Sequence, residues 1–107
     1  MSKRVFDIDG NAFDDLEGFF AEFRLKLGAS APFRSLDAFN DVLRGGFGTP
    51  DGGFVLRWLN SDRSRRGLGH PATVGDDQTV FDILVEIIRT HGPGGEEEED
   101  GVELELA

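Results

Sequence analysis

The chain contains no cysteine. A disulfide and a thiolate metal site are both impossible, and nothing points to an oxidising compartment. Only two histidines are present, His70 and His91, and they lack the close spacing of paired metal ligands. No metal and no cofactor is expected. Lysine is also scarce, limited to Lys3 and Lys26. No stretch approaches the roughly 18 apolar residues of a membrane span. The opening MSKRVFDIDG lacks the apolar segment of a secretory signal. Glycines cluster at positions 45, 46, 48, 52 and 53, but no G-x-x-x-x-G-K-[ST] phosphate loop is formed and no helix start follows. These absences predict a cytoplasmic protein without a membrane partner; separately, the free protein is expected to be a monomer.

What is present is acid. The 107 residues carry a net charge of −10, and 38% of them are hydrophobic. That length and composition suit one domain over residues 1–107 with one modest core. The charge is unevenly spread. Residues 1–95 hold 11 basic and 14 acidic side chains, whereas residues 96–107 add seven acids and no base. Phosphates repel such a chain, so direct binding to nucleic acid is not expected, and a charged macromolecular partner should be basic. The run Glu96–Asp100 lies in an acidic loop over residues 94–101, which by composition alone reads as solvated and mobile.

Periodicity then sets the elements. Arg4–Ile8 reads as a short strand, followed by an Asp9–Gly10–Asn11 turn. A first helix spans about Asp14 to Leu27, with Leu16, Phe19, Phe20 and Phe23 as its apolar stripe and Gly28 at its end. Ser35 is the expected N-cap of a second helix that closes at Arg44–Gly45–Gly46. Phe54–Leu59 is nearly continuous in apolar residues and reads as a central strand. Asn60 or Ser61 is the expected cap of a short helical turn through Arg66. A last helix spans about Asp77 to His91, and Val102–Leu106 alternates as a strand buried on one face. Helices between strands favour parallel pairing through right-handed crossovers. The predicted fold is a two-layer α/β architecture, a three-stranded parallel sheet with helices packed on one face.

The second helix is the most informative segment. In SLDAFNDVL, Leu36, Phe39, Val42 and Leu43 share one face, and Asp37, Asn40, Asp41 and Arg44 share the other. Like charges at i and i+4 destabilise an isolated helix by roughly 0.2–0.5 kcal/mol. A solvated face tolerates that cost, and a face that meets a cationic partner uses it. The spacing predicts exposed Asp37, Asn40 and Asp41 over buried Leu36, Phe39 and Leu43.

Other motifs carry rival readings. Phe6–Asp7–Ile8–Asp9–Gly10 resembles the D-x-D-G nucleophile loop of haloacid-dehalogenase-type phosphatases, and Val74–Gly75–Asp76–Asp77 echoes their late acidic motif. A small Mg-dependent phosphatase using Asp7 and Asp9 is therefore an alternative. Such an enzyme needs a cation between the two motifs and a larger sheet than three strands, and Val74–Asp77 follows a loop. The plainer reading is a strand ending in an Asp–Gly turn. Arg63, Arg65 and Arg66 form a basic cluster that reads as a solvated turn balancing local acids. Trp58, at the end of the central strand, reads as core.

Over most of its length the chain resembles the barstar family of ribonuclease inhibitors. The resemblance rests on Leu36–Asp37–Ala38, Asp41 and Leu43 in the second helix, and on the strand Phe54–Val55–Leu56–Arg57–Trp58. The short opening strand, the last helix and the alternating last strand complete it. It implies a three-stranded parallel sheet and a non-enzymatic inhibitor that covers the active site of a basic ribonuclease or related toxin nuclease. By the same resemblance, Asp41 matches the central acid that stands in for RNA phosphate, and Asp37 the acid one turn earlier. The chain departs from the family's usual tryptophan between the two acids, where it has Asn40. It also has Phe33–Arg34–Ser35 in place of an aromatic–glycine run. The acid expected on the last helix has no register match, since Glu86 is off by one. The candidate partner-binding set is Asp37, Asn40, Asp41, Phe33, Arg34 and Arg44. A non-inhibitory interaction module on the same fold is the alternative from a different class.

Overall fold

The structure, a computed structural model, describes residues 3–28, 35–44, 53–71 and 77–107. The elements follow in the order β1 (Val5–Asp9), α1 (Leu16–Leu27), α2 (Leu36–Leu43), β2 (Phe54–Leu59), α3 (Ser61–Gly67), α4 (Val80–Thr90) and β3 (Val102–Leu106), with a 3₁₀ turn at Glu98–Asp100 before β3. The sheet has the order β1-β2-β3, and both pairings are parallel. The expected α/β fold, its central strand and its parallel topology are all present.

Local chemistry explains the boundaries. Asp15, Ser35 and Thr79 each adopt extended backbone and accept a hydrogen bond from the amide three residues on, which satisfies one of the unpaired N–H groups of each helix start. Two helices are therefore shorter than their apolar pattern suggests, beginning at Leu16 rather than Asp14 and at Val80 rather than Asp77. Gly28 ends α1 in the left-handed region at φ 69°, donating its N–H to the Arg24 carbonyl. The short α3 begins after Asn60, which is itself left-handed at φ 56° and makes no side-chain cap.

The helices cover one face of the sheet. Along β2, Phe54, Leu56 and Trp58 are buried, while Val55, Arg57 and Leu59 are only half-buried. Phe39 of α2 stacks on Phe19, Phe20 and Phe23 of α1 with centroids 5.1–5.6 Å apart. Phe19 in turn lies 5.0 Å from Trp58. Trp58 is core, as expected, and its indole N–H donates to the buried Ser64 hydroxyl at 2.9 Å. Such aromatic burial holds α2 firmly, so the polar side of α2 is a rigid platform.

The uncovered sheet face carries a charged row. Register aligns Asp7, Arg57 and Glu105 across the three strands, and Arg57 grips Asp7 through two hydrogen bonds at 2.7 and 3.1 Å. The bond from Arg57 lowers the Asp7 pKa below the usual carboxylate value and raises that of Arg57. Among the described residues, no helix is long and apolar enough to cross a membrane.

Candidate functional site

Helix α2 presents the candidate site. Its Ser35 cap accepts from the Ala38 N–H at 3.1 Å, and Phe39, Val42 and Leu43 anchor it in the core. Asp37 and Asp41 are exposed, one helical turn apart. Asp37 engages no donor or cation among the described residues. Asp41 is 59% exposed and lies 3.3 Å from Arg44. Two rigidly mounted carboxylates thus face solvent, as the helical spacing predicts.

Two expectations on this helix are corrected. Leu36 is half-buried rather than fully covered, because it lies in the first turn at the edge of the core. Asn40 is not simply exposed. It is half-buried, and its carbonyl oxygen Oδ1 lies 2.6 Å from Nε2 of His91. His91 caps the C-terminus of α4 and is completely buried. Its other nitrogen, Nδ1, lies 2.7 Å from the Asp100 carboxylate and 3.7 Å from Glu97. Helical spacing correctly puts Asn40 on the polar side of α2, but it carries no information about the helix packed beside it. Phe33 and Arg34 lie outside the described residues.

The acidic segment is tied down rather than free. Arg44 bonds Glu97 at 2.9 and 3.4 Å, and that bond raises the Arg44 pKa. Glu97 and Asp100 are half-buried toward α2 and His91, whereas Glu96, Glu98 and Glu99 remain exposed. A Cβ on Gly92 would strike the Val102 carbonyl oxygen, so a glycine there lets the chain leave α4 close against β3 and keeps His91 beside Asp100. The Val102 N–H donates to the His91 carbonyl at 2.8 Å. Sequence spacing places His91 at the end of the last helix and excludes it as a ligand mate of His70, but does not reveal this cluster. The available signal was the position of His91 just before a glycine and an acidic run.

The rival site is occupied by structural bonds. Asp7 is held by Arg57. Asp9 accepts from the Asn11 N–H at 2.9 Å and from Asn60 Nδ2 at 3.1 Å, and the turn amide first of all lowers its pKa. The Asp9 N–H itself donates to the buried carboxylate of Glu22. Residues 74–76 of the second acidic motif lie outside the described residues. Arg63 donates to the Gly10 and Phe13 carbonyls and pairs with Asp14 at 2.8 Å. Arg65 lies over the Phe81 ring at 4.7 Å. Two members of the basic cluster therefore brace the fold, with Arg63 balancing a local acid as expected.

Comparison with curated proteins and with solved structures gives no match. The family model described as Barstar (barnase inhibitor) matches residues 3–106. With a three-stranded parallel sheet backing a helix that displays Asp37 and Asp41, and a match across nearly the whole sequence, this chain belongs to the barstar family.

Proposed function

We propose that the protein inhibits a basic ribonuclease or related toxin nuclease by covering its active site with the polar face of α2. Barstar-family proteins are inhibitors rather than enzymes. The observation that carries the reading is the pair of solvent-facing carboxylates, Asp37 and Asp41, on a helix fixed by Phe39, Val42 and Leu43. A ribonuclease needs a cationic pocket for phosphate. A carboxylate already held on a helix enters that pocket with little ordering cost and accepts charge-assisted hydrogen bonds there. Asp41 is the central phosphate mimic and Asp37 its neighbour one turn away. Arg44 and the segment Glu96–Asp100 border this face, and Phe33 and Arg34, just before α2 in the sequence, complete the proposed partner-binding set. The inhibitor acts as one cytoplasmic domain, monomeric when free, and needs no cofactor.

The test is an RNA-cleavage assay with purified protein and a panel of barnase-type ribonucleases and basic toxin nucleases. Wild type is expected to abolish cleavage by at least one of them at a 1:1 ratio, and Asp41→Ala to relieve that block. The second reading is an interaction module without inhibitory activity. The bond of Asn40 to His91 favours it, because the residue between the two acids is partly committed inward. A nuclease that is bound but still cleaves RNA selects that reading.

A further inference from the structure

Strand β3 is an edge of the sheet, because the order β1-β2-β3 gives it one neighbour among the described residues. In a parallel pair, alternate residues turn their main-chain groups toward the neighbouring strand, and the residues between turn theirs away. Two bonds fix which is which. The Ala107 N–H donates to the Trp58 carbonyl of β2 at 2.9 Å, whereas the Val102 N–H donates away from the sheet, to the His91 carbonyl at 2.8 Å. Glu103 and Glu105 therefore bond β2, and the main-chain groups of Leu104 and Leu106 face outward. No described strand pairs with them.

A groove of about 900 Å³ lies along this edge. Residues 102–105 of β3 line it, together with Arg89, Thr90 and the turn over residues 92–96. The two sides of the strand differ in chemistry. Leu104 and Leu106 point toward the helices, packed against the core yet only half-buried. Glu103 and Glu105 point to the uncovered face of the sheet. The lining holds three acids, Glu96, Glu103 and Glu105, against one base, Arg89. Arg57 stands in register beside Glu105 but is already gripped by Asp7.

We propose that the β3 edge binds an extended basic segment of a partner protein, alternating Lys or Arg with apolar residues, as an added strand of the sheet. The outward main-chain groups of Leu104 and Leu106 supply the hydrogen bonds. Apolar side chains of the incoming strand cover the two leucines, and its cations meet Glu103 and Glu105. In such strand addition, main-chain bonds give affinity and the alternating side chains give specificity. The glutamates also exclude rivals. Charge is a common guard on an open edge, and here all of it on β3 has one sign. A second copy of β3 would bring Glu103 and Glu105 against themselves, and like charges across a strand pair are destabilising. Nucleic acid is repelled in the same way. Helix α4 packs against both α2 and β3, and no residue of α2 lines the groove. The edge is thus separate from Asp37 and Asp41, and its role stands independently of the proposed inhibition.

The test needs no nuclease. Nitrogen-15 NMR of the full chain at low salt would follow the titration of a short blocked peptide that alternates lysine and valine. The expected result is that the Leu104 and Leu106 amides shift and become protected from hydrogen exchange, with binding that weakens as salt rises. A backbone N-methylated peptide of the same charge is expected to bind roughly tenfold more weakly, the worth of one or two main-chain hydrogen bonds. Glu103→Lys combined with Glu105→Lys is expected to reverse the preference, so that a peptide alternating glutamate and valine binds instead. Binding that survives N-methylation undiminished is attraction of charge alone and overturns the proposal. Shifts confined to α2, or no binding of the basic peptide at low salt, overturn it as well. So does protection of Leu104 and Leu106 that grows with protein concentration alone, which would place a second copy on the edge. Peptide binding on β3 with no nuclease inhibited would sink the inhibitor reading and leave this one intact.

Discussion

The Arg44 guanidinium lies 2.9 Å from the Glu97 carboxylate, joining the end of helix α2 to the acidic segment across 53 residues of sequence. The same guanidinium touches Asp41 at 3.3 Å. A cation therefore sits inside the negative surface and attenuates the carboxylate proposed to enter the nuclease. Arg44→Gln is expected to speed association with a basic partner at low salt. It should also loosen the acidic segment, seen as faster hydrogen exchange at the Gly101 amide. Slower association would show instead that Arg44 itself contacts the partner.

The exposed acids act at longer range. Neutralising Glu96, Glu98 and Glu99 together is expected to lower the association rate and leave dissociation nearly unchanged, because exposed charges steer encounter more than they hold a complex. The effect should fade as salt approaches about 0.1 M and beyond, where the Debye length falls to about 10 Å. Stopped-flow association across a salt series decides it, and a variant with an altered dissociation rate alone would contradict the steering role.

Asp41→Ala should act in the opposite way. It removes a charge-assisted contact worth about 1.5–3 kcal/mol, so dissociation is expected to accelerate by roughly ten- to hundredfold. Asp37→Ala should weaken binding in the same sense. Surface-based kinetics with both variants provides the check, with circular dichroism to confirm that α2 persists.

The platform beneath the acids is an aromatic one. Phe39 is fully buried against three α1 phenylalanines, and Phe39→Ala is expected to cost about 3–5 kcal/mol of stability. Ser35→Ala removes the α2 cap and should cost about 1 kcal/mol. Urea unfolding of both variants measures the difference, and a Phe39→Ala loss no larger than that of Ser35→Ala would contradict the packing described.

Acid stability should report on the sheet's open face. Asp7 has its pKa lowered by Arg57, from an ordinary value of 3.8. Its unfolded form thus binds a proton more readily, so the stabilisation is complete above that ordinary value and is lost as pH falls through the lower folded one. Asp7→Asn is expected to flatten this acid limb of the stability profile. It should not abolish any Mg²⁺-dependent phosphate-ester hydrolysis, because the phosphatase reading predicts such activity and the inhibitor reading predicts none. A hydrolysis that disappears in Asp7→Asn would revive the enzyme.

Much of this architecture is legible in the chain before any packing is known. Alternation in Val102–Leu106 and the apolar run Phe54–Leu59 mark β3 and β2, since a strand buries every second residue on a covered face. Spacing along Leu36–Leu43 separates Phe39, Val42 and Leu43 from Asp37 and Asp41, because helical geometry alone decides which side is apolar. Ser35 and Gly28 mark helix ends through their own local hydrogen bonds and backbone freedom. Pairings between distant polar groups belong to the tertiary structure. Asn40 with His91, Arg44 with Glu97, Asp7 with Arg57 and the buried Glu22 under Asp9 have no local signature. A polar residue must find a partner once covered, but its place in the sequence says only that it is polar. Which partner it meets is settled when α4 and the acidic segment pack beside α2, and that packing turned a row of surface residues into one face with a buried histidine behind it.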